Sequence, residues 1–119
     1  MGELDSLLPV DLRNRSTVIG KELAIPYGDT LAAIAIASKH QIAVLGFDCG
    51  ELIAEKFRVL SYSAYDPEVS VDQAWKEYVS AINALAEKWI NESTFRAGNC
   101  GYILTSTSQS EFMELRNTR

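Results

Sequence analysis

Residues 22–48, ELAIPYGDTLAAIAIASKHQIAVLGFD, contain two apolar runs of different kinds. The first, Leu31 to Ala37, is too rich in alanine to prefer a strand. Asp29 stands just before it as a good N-cap, its carboxylate able to accept from the amides of a first turn. A short buried helix is predicted. The second run, QIAVLGF, carries β-branched residues and ends at a glycine and an acid, which predicts a central strand. Lys39 and the only histidine, His40, then fall at the helix end, where positive charge meets unpaired carbonyls. His40 reads as a C-terminal cap, because nothing near it in sequence supplies a nucleophile to activate.

Downstream, CGELIAEKFRVLSYSAY is ambiguous. Leu52, Ile53, Phe57 and Leu60 could share one helical face, yet KFRVLSYSAY is rich in β-formers and stops at Asp66-Pro67. The reading taken is a strand from Lys56 to Ala64, entered through a turn at Gly50-Glu51 that makes the ladder antiparallel. In SVDQAWKEYVSAINALAEKWINES, Val71, Ala74, Trp75, Tyr78, Val79, Ile82, Leu85, Ala86 and Trp89 recur at helical spacing. One helix over residues 70–92 is predicted, opened by a Ser70/Gln73 capping box, with both tryptophans packed in the core and Lys88 and Glu92 spaced to pair on the wet face. CGYILTSTS alternates as a third strand. Ser108 and Glu111 form a second capping box, so QSEFMELRN should be a short helix laying Phe112, Met113 and Leu115 on the sheet.

The fold class that follows is α+β: a small, mostly antiparallel sheet of about three or four strands, covered by one long helix and shorter ones. At 119 residues, residues 1–119 read as one domain with enough chain for a core. No apolar run approaches the roughly 18 residues of a membrane span. The N-terminus has three acids, Glu3, Asp5 and Asp11, before any base and a proline in its oily part, the wrong order for a secretory signal, so a cytoplasmic home is expected. Cys49 and Cys100 are then buried free thiols rather than a disulfide framework.

The net charge is −5. From Asp48 to Glu77 there are seven acids against three bases, so this segment carries −4 of it. Such a surface repels phosphate backbones and attracts basic proteins. Asp48, Glu51, Glu55, Asp66, Glu68 and Asp72 are therefore the expected partner-binding residues, set against the plainer reading that they are solvated acids keeping the protein soluble.

Catalytic constellations fall short. His40, Cys49 and Cys100 lack metal-ligand spacing, and pairing His40 with either cysteine as base and nucleophile has no motif behind it. The glycines at 46, 50, 98 and 101 match neither a dinucleotide fingerprint nor a P-loop, so no metal or cofactor is expected. Asp48 and Glu51, with His40, remain the one set that a small enzyme or small-ligand protein could use.

The order LLPVDLRNRS, GKELAIPYGDTLAAI, HQIAVLGFDC, a long helix carrying AWKEYV, and GYILTSTSQSEF resembles small α+β immunity proteins of bacterial polymorphic-toxin systems. Glu22-Leu23-Ala24-Ile25, Asp29, Ile42-Ala43-Val44-Leu45-Gly46 and Asp48 stand at the places of that pattern. His40-Gln41 departs from it where a glycine precedes Ile42, and Phe47 departs where a second glycine stands. The resemblance implies a stoichiometric inhibitor of a cognate toxin domain, with no catalysis of its own.

Overall fold

A computed structural model describes residues 3–54, 56–64, 74–96 and 98–112. Two short helices, α1 (Glu3–Leu7) and α2 (Val10–Arg15), lead into β1 (Thr17–Ile19) and β2 (Glu22–Pro26). Then follow α3 (Tyr27–Lys39), β3 (Ala43–Ile53), β4 (Lys56–Ala64), α4 (Trp75–Glu92) and β5 (Cys100–Thr107), with a final helical turn over 109–112. The strands form one antiparallel sheet in the order β1-β2-β5-β3-β4. Five strands replace the three or four expected, because TVI and ELAIP are too short to declare an alternation of their own; β2 becomes a strand by pairing with β5.

The predicted helix and strand of residues 22–48 are present, with one correction. Helix α3 starts two residues before Asp29, directly after Pro26, and has no side-chain cap. Asp29 instead takes a bidentate ion pair from Arg15, Nε and Nη2 each 2.9 Å from a carboxylate oxygen. A charged fork from the end of α2 outcompetes the first-turn amides, and it raises the Arg15 pKa. His40 is the C-cap residue, its N–H on the Ile36 carbonyl. Gln41 follows with φ 57°, while its N–H bonds Ser38 O and the Ile42 N–H bonds Ala37 O. This is a Schellman ending with a non-glycine at the left-handed position.

The turn expected at Gly50-Glu51 is not there. Strand β3 runs on to Ile53, which pairs with Lys56 of β4, and Ala54 has φ 48°. Gly50 has a different use: a Cβ there would sit 2.4 Å from the Arg58 carbonyl oxygen and 2.7 Å from the Phe57 ring, beside a bulge in the β3–β4 ladder. Strand β4 matches Lys56–Ala64 as expected.

The expected 70–92 helix is observed from Trp75; Ser70, Gln73 and the capping box they would form lie outside the described residues. Its buried face is Tyr78, Val79, Ile82, Asn83, Ala86 and Ile90. Trp89 is 46% exposed, against expectation. Once polar Asn83 joins the stripe, its centre runs through Val79, Ala86 and Ile90, and Trp89 lies roughly 80° around the helix from Val79. Trp75 is half-buried, stacked on Tyr78 with centroids 5.2 Å apart, and Phe112 packs on both rings. Ser108 Oγ accepts from the Glu111 N–H, the first bond of the predicted capping box, while the Glu111 carboxylate takes the Ser108 hydroxyl in place of the backbone N–H; Met113 and Leu115 lie outside the described residues.

Asn83 is fully satisfied. It accepts from the Val44 N–H at 2.7 Å and donates to the Ile42 carbonyl and Ser38 Oγ, where β3 runs beyond its described β4 partners. Asn83→Ala should cost on the order of 3 kcal/mol in urea unfolding, since it strands a buried N–H and a buried carbonyl. Gln41→Gly should add about 1 kcal/mol by relieving the left-handed backbone.

Candidate functional site

The sequence-predicted residues are not gathered at one place. Asp48 and Glu51 stand three positions apart on β3, so the strand's two-residue period sends them to opposite faces. Asp48 lies level with Ile103, and Glu51 level with Cys100, where Arg58 approaches its carboxylate at 3.8 Å. His40 precedes the other end of β3, at the Ala43↔Thr107 level, and is exposed. Ala43 to Cys49 alone spans roughly 20 Å of strand. The set Asp48, Glu51 and His40 therefore does not converge, and no acid and base pair can act across it. Glu55, Asp66, Glu68 and Asp72 lie outside the described residues.

What the fold does assemble lies under the C-terminal end of α4. Phe47, Cys49 and Ser61 from β3 and β4 form the floor of an open cavity of about 260 Å³, and Trp89, Glu92 and Phe95 form its walls. Tyr102 is fully buried beside it on β5, paired with Cys49 across the ladder and edge-on to the Phe47 ring at 5.4 Å.

A closed cycle of hydrogen bonds fixes this corner. The Phe95 N–H donates to Ser93 Oγ at 3.2 Å, the Ser93 hydroxyl meets the Tyr102 hydroxyl, and Tyr102 donates to the Phe95 carbonyl at 3.0 Å. The Cys49 thiol also contacts the Tyr102 hydroxyl. The cycle ties the segment after α4 to the middle strand of the sheet. Arg96 clamps the same segment from outside, donating to the Asn91 and Ser93 carbonyls while lying 5.0 Å over the Tyr27 ring.

Burial pushes the Cys49 thiol up, with the Tyr102 hydrogen bond partly opposing it. Burial also pushes Tyr102 well above the usual phenol range. A thiol held protonated is a poor nucleophile, so Cys49 serves as floor rather than reactive group. Both cysteines are buried and unlinked. Among the described residues no group of three or more His, Cys, Asp or Glu side chains is arranged to hold a metal ion, and no helix is long and apolar enough to cross a membrane.

Glu92 makes no ion pair with Lys88, although the two are spaced for one, and its carboxylate stands at the cavity wall without a partner among the described residues. Sequence reasoning missed this site because its components come from four separated segments. The one signal was Trp89, and assigning it to the core concealed it.

Comparisons of the chain with protein-family models, with curated proteins and with solved structures find no match.

Cys49 and Tyr102 both hold their protons more tightly folded than unfolded. The stability they contribute is full below the unfolded values, about 8.5 for a thiol and about 10 for a phenol, and is lost as pH rises through the higher folded ones. The urea midpoint should therefore fall from about pH 8.5 upward. Cys49→Ala should remove the earlier part of that fall and Tyr102→Phe the later part; slopes unchanged in both variants would contradict the assignment.

Proposed function

We propose that the chain is a binding protein that neutralises a cognate bacterial toxin domain by stoichiometric association through an acidic surface, acting in the cytoplasm without a cofactor. The observation that carries this reading is the concentration of −4 of the −5 net charge between Asp48 and Glu77. The β3–β4 hairpin presents the first part of that segment. It extends past the last β5 pair, Glu51↔Cys100, and leaves Ile53, on the same sheet face as Glu51, 48% exposed. Apolar side chains bordered by charge are the composition of a protein interface, and an acidic field selects a basic partner. A toxin domain that handles nucleic acid has such a field, because it must bind phosphates. The resemblance to immunity proteins points the same way and supplies the class of partner. Neither nucleic acid nor a membrane is part of the reading.

The test is the toxin domain encoded beside this chain's gene, produced with and without it. Rescue of growth and a 1:1 complex in solution support the proposal. Glu51→Lys combined with Glu55→Lys should slow association by about tenfold at low salt and flatten its salt dependence, since steering acts on the on-rate. An on-rate unchanged at low and high salt would place the interface elsewhere.

A further inference from the structure

The flank of α4 opposite Trp89 carries a charge pattern that is complementary to itself. In KEYVSAINALAEK, residues 76–88, a base and an acid open the run and an acid and a base close it. Lys76 and Glu87 are eleven positions apart, so they lie within about 20° of each other around the helix. Glu77 and Lys88 stand in the same relation about 100° further round. Ser80 and Ala84, both exposed, fall between these two lines and on either side of their midpoint. Adjacent residues on a helix do not face each other, so Lys76 and Glu77 do not satisfy one another. None of the four charges has an ion-pair partner among the described residues. Beside the Lys76–Glu87 line, where the end of α3 meets α4, lies an open recess of about 360 Å³ lined by Ser38, Gln41, Ser80 and Ala84 over Asn83. The Asn83 amide already has its three partners, and the Gln41 side chain donates to the Ser38 carbonyl. The recess therefore offers room for side chains rather than an unmet polar group.

We propose that this flank is a self-association surface, on which two copies of the chain pair through α4, antiparallel about a two-fold axis level with Ile82. In such a pair, a residue meets the residue of the second copy that has the same angular position and the opposite height. Lys76 then faces Glu87 of the second copy and Glu77 faces its Lys88, and symmetry makes each contact twice. The like charges at equal height, Lys76 and Lys88 of the second copy, fall on opposite edges of the contact. Ser80 and Ala84 meet their counterparts at the crossing, where small side chains let the two backbones approach closely. The long Lys76 and Glu87 side chains of the second copy cover the recess. Opposed helix dipoles favour this arrangement over a parallel one. Self-complementary charge selects a second copy over a foreign helix, which would have to carry the same pattern independently. One helix pair with charged edges falls below the roughly 1,200 Å² of a standard stable interface, so the dimer is concentration-dependent, with a dissociation constant on the order of 100 μM. The inference goes beyond the toxin-binding reading and does not depend on it, since the β3–β4 hairpin takes no part in the contact.

The test is sedimentation equilibrium of the full chain at low salt, from about 10 μM to about 1 mM. The weight-average mass should rise with concentration toward twice the monomer value. Lys76→Glu and Glu87→Lys should each weaken association at least about tenfold, because each sets like charges opposite one another twice. An equimolar mixture of the two variants should associate again, to within about threefold of the parent. In that mixed pair the introduced acid faces the introduced base, and the unchanged Glu87 of one chain faces the unchanged Lys76 of the other. A parallel pairing gives no such restoration, since the introduced acid would there face Glu77 of the second copy. Ala84→Arg, at an exposed position, should abolish association by filling the crossing. Urea midpoints within error of the parent's show that each variant is folded. A parent chain that stays monomeric at about 1 mM, a mixture that fails to associate, or a dimer that persists in Ala84→Arg overturns the inference.

Discussion

A single buried amide joins the two halves of this fold. Asn83 projects from α4 into the junction where α3 ends and β3 begins, and each of its hydrogen bonds reaches a different backbone or side-chain group there. Trp75, two turns earlier on the same helix, donates its indole N–H to the Gln41 carbonyl at 2.7 Å. The left-handed Gln41 and the satisfied Asn83 thus set the angle at which β3 leaves α3 and the depth at which α4 lies on the sheet. A hydrophobic face alone would let α4 rotate or slide by a residue, since Val79, Ile82 and Ala86 would be nearly as well buried after a small turn. An amide with three directional partners in a low-dielectric site does not allow that freedom.

The position of Trp89 follows from this constraint. With Asn83 pinned toward Val44, the helix presents Ile90 to the core and leaves its neighbour on the flank. The cavity then exists because the sheet below that flank offers Cys49 and Ser61, which are too small to fill the space under an indole. The Ser93, Phe95 and Tyr102 cycle keeps the space open by holding the chain after α4 against β5 instead of letting it fold back over the gap. A polar specification of the core thereby produces an apolar recess with a charged edge.

Much of the fold was legible in local pattern. The alanine-rich run before His40, the pattern of CGYILTSTS and the β-formers of KFRVLSYSA each declared their element through local residue preference, although the first four residues of β5 are buried on both faces. The departures have specific causes. Asp29 looks like a cap until a guanidinium fourteen residues away claims it. Gly50 looks like a turn until the backbone of β4 is seen to approach it too closely for a side chain. Strands β1 and β2 are stabilised by pairing rather than propensity, so no window of their own residues announces them. In each case a long-range contact overrode a sound local preference.

The acidic segment and the cavity illustrate the same division on the functional side. A charge count along the chain treats Asp48 and Glu51 as neighbours, whereas the pleat places them on opposite faces of the sheet. Glu92, outside that segment by number, joins the Glu51 face because α4 ends above β3. The proposed partner, approaching from the α4 side, would meet Glu92 and Trp89 at the cavity and Glu51, with Arg58 3.8 Å away, further along the same sheet face. Long-range attraction depends on summed charge and tolerates such rearrangement, while short-range recognition depends on which face each carboxylate occupies. Under the proposed protein-binding reading, linear charge therefore argues for the sign of a partner, and the fold for the face it would use.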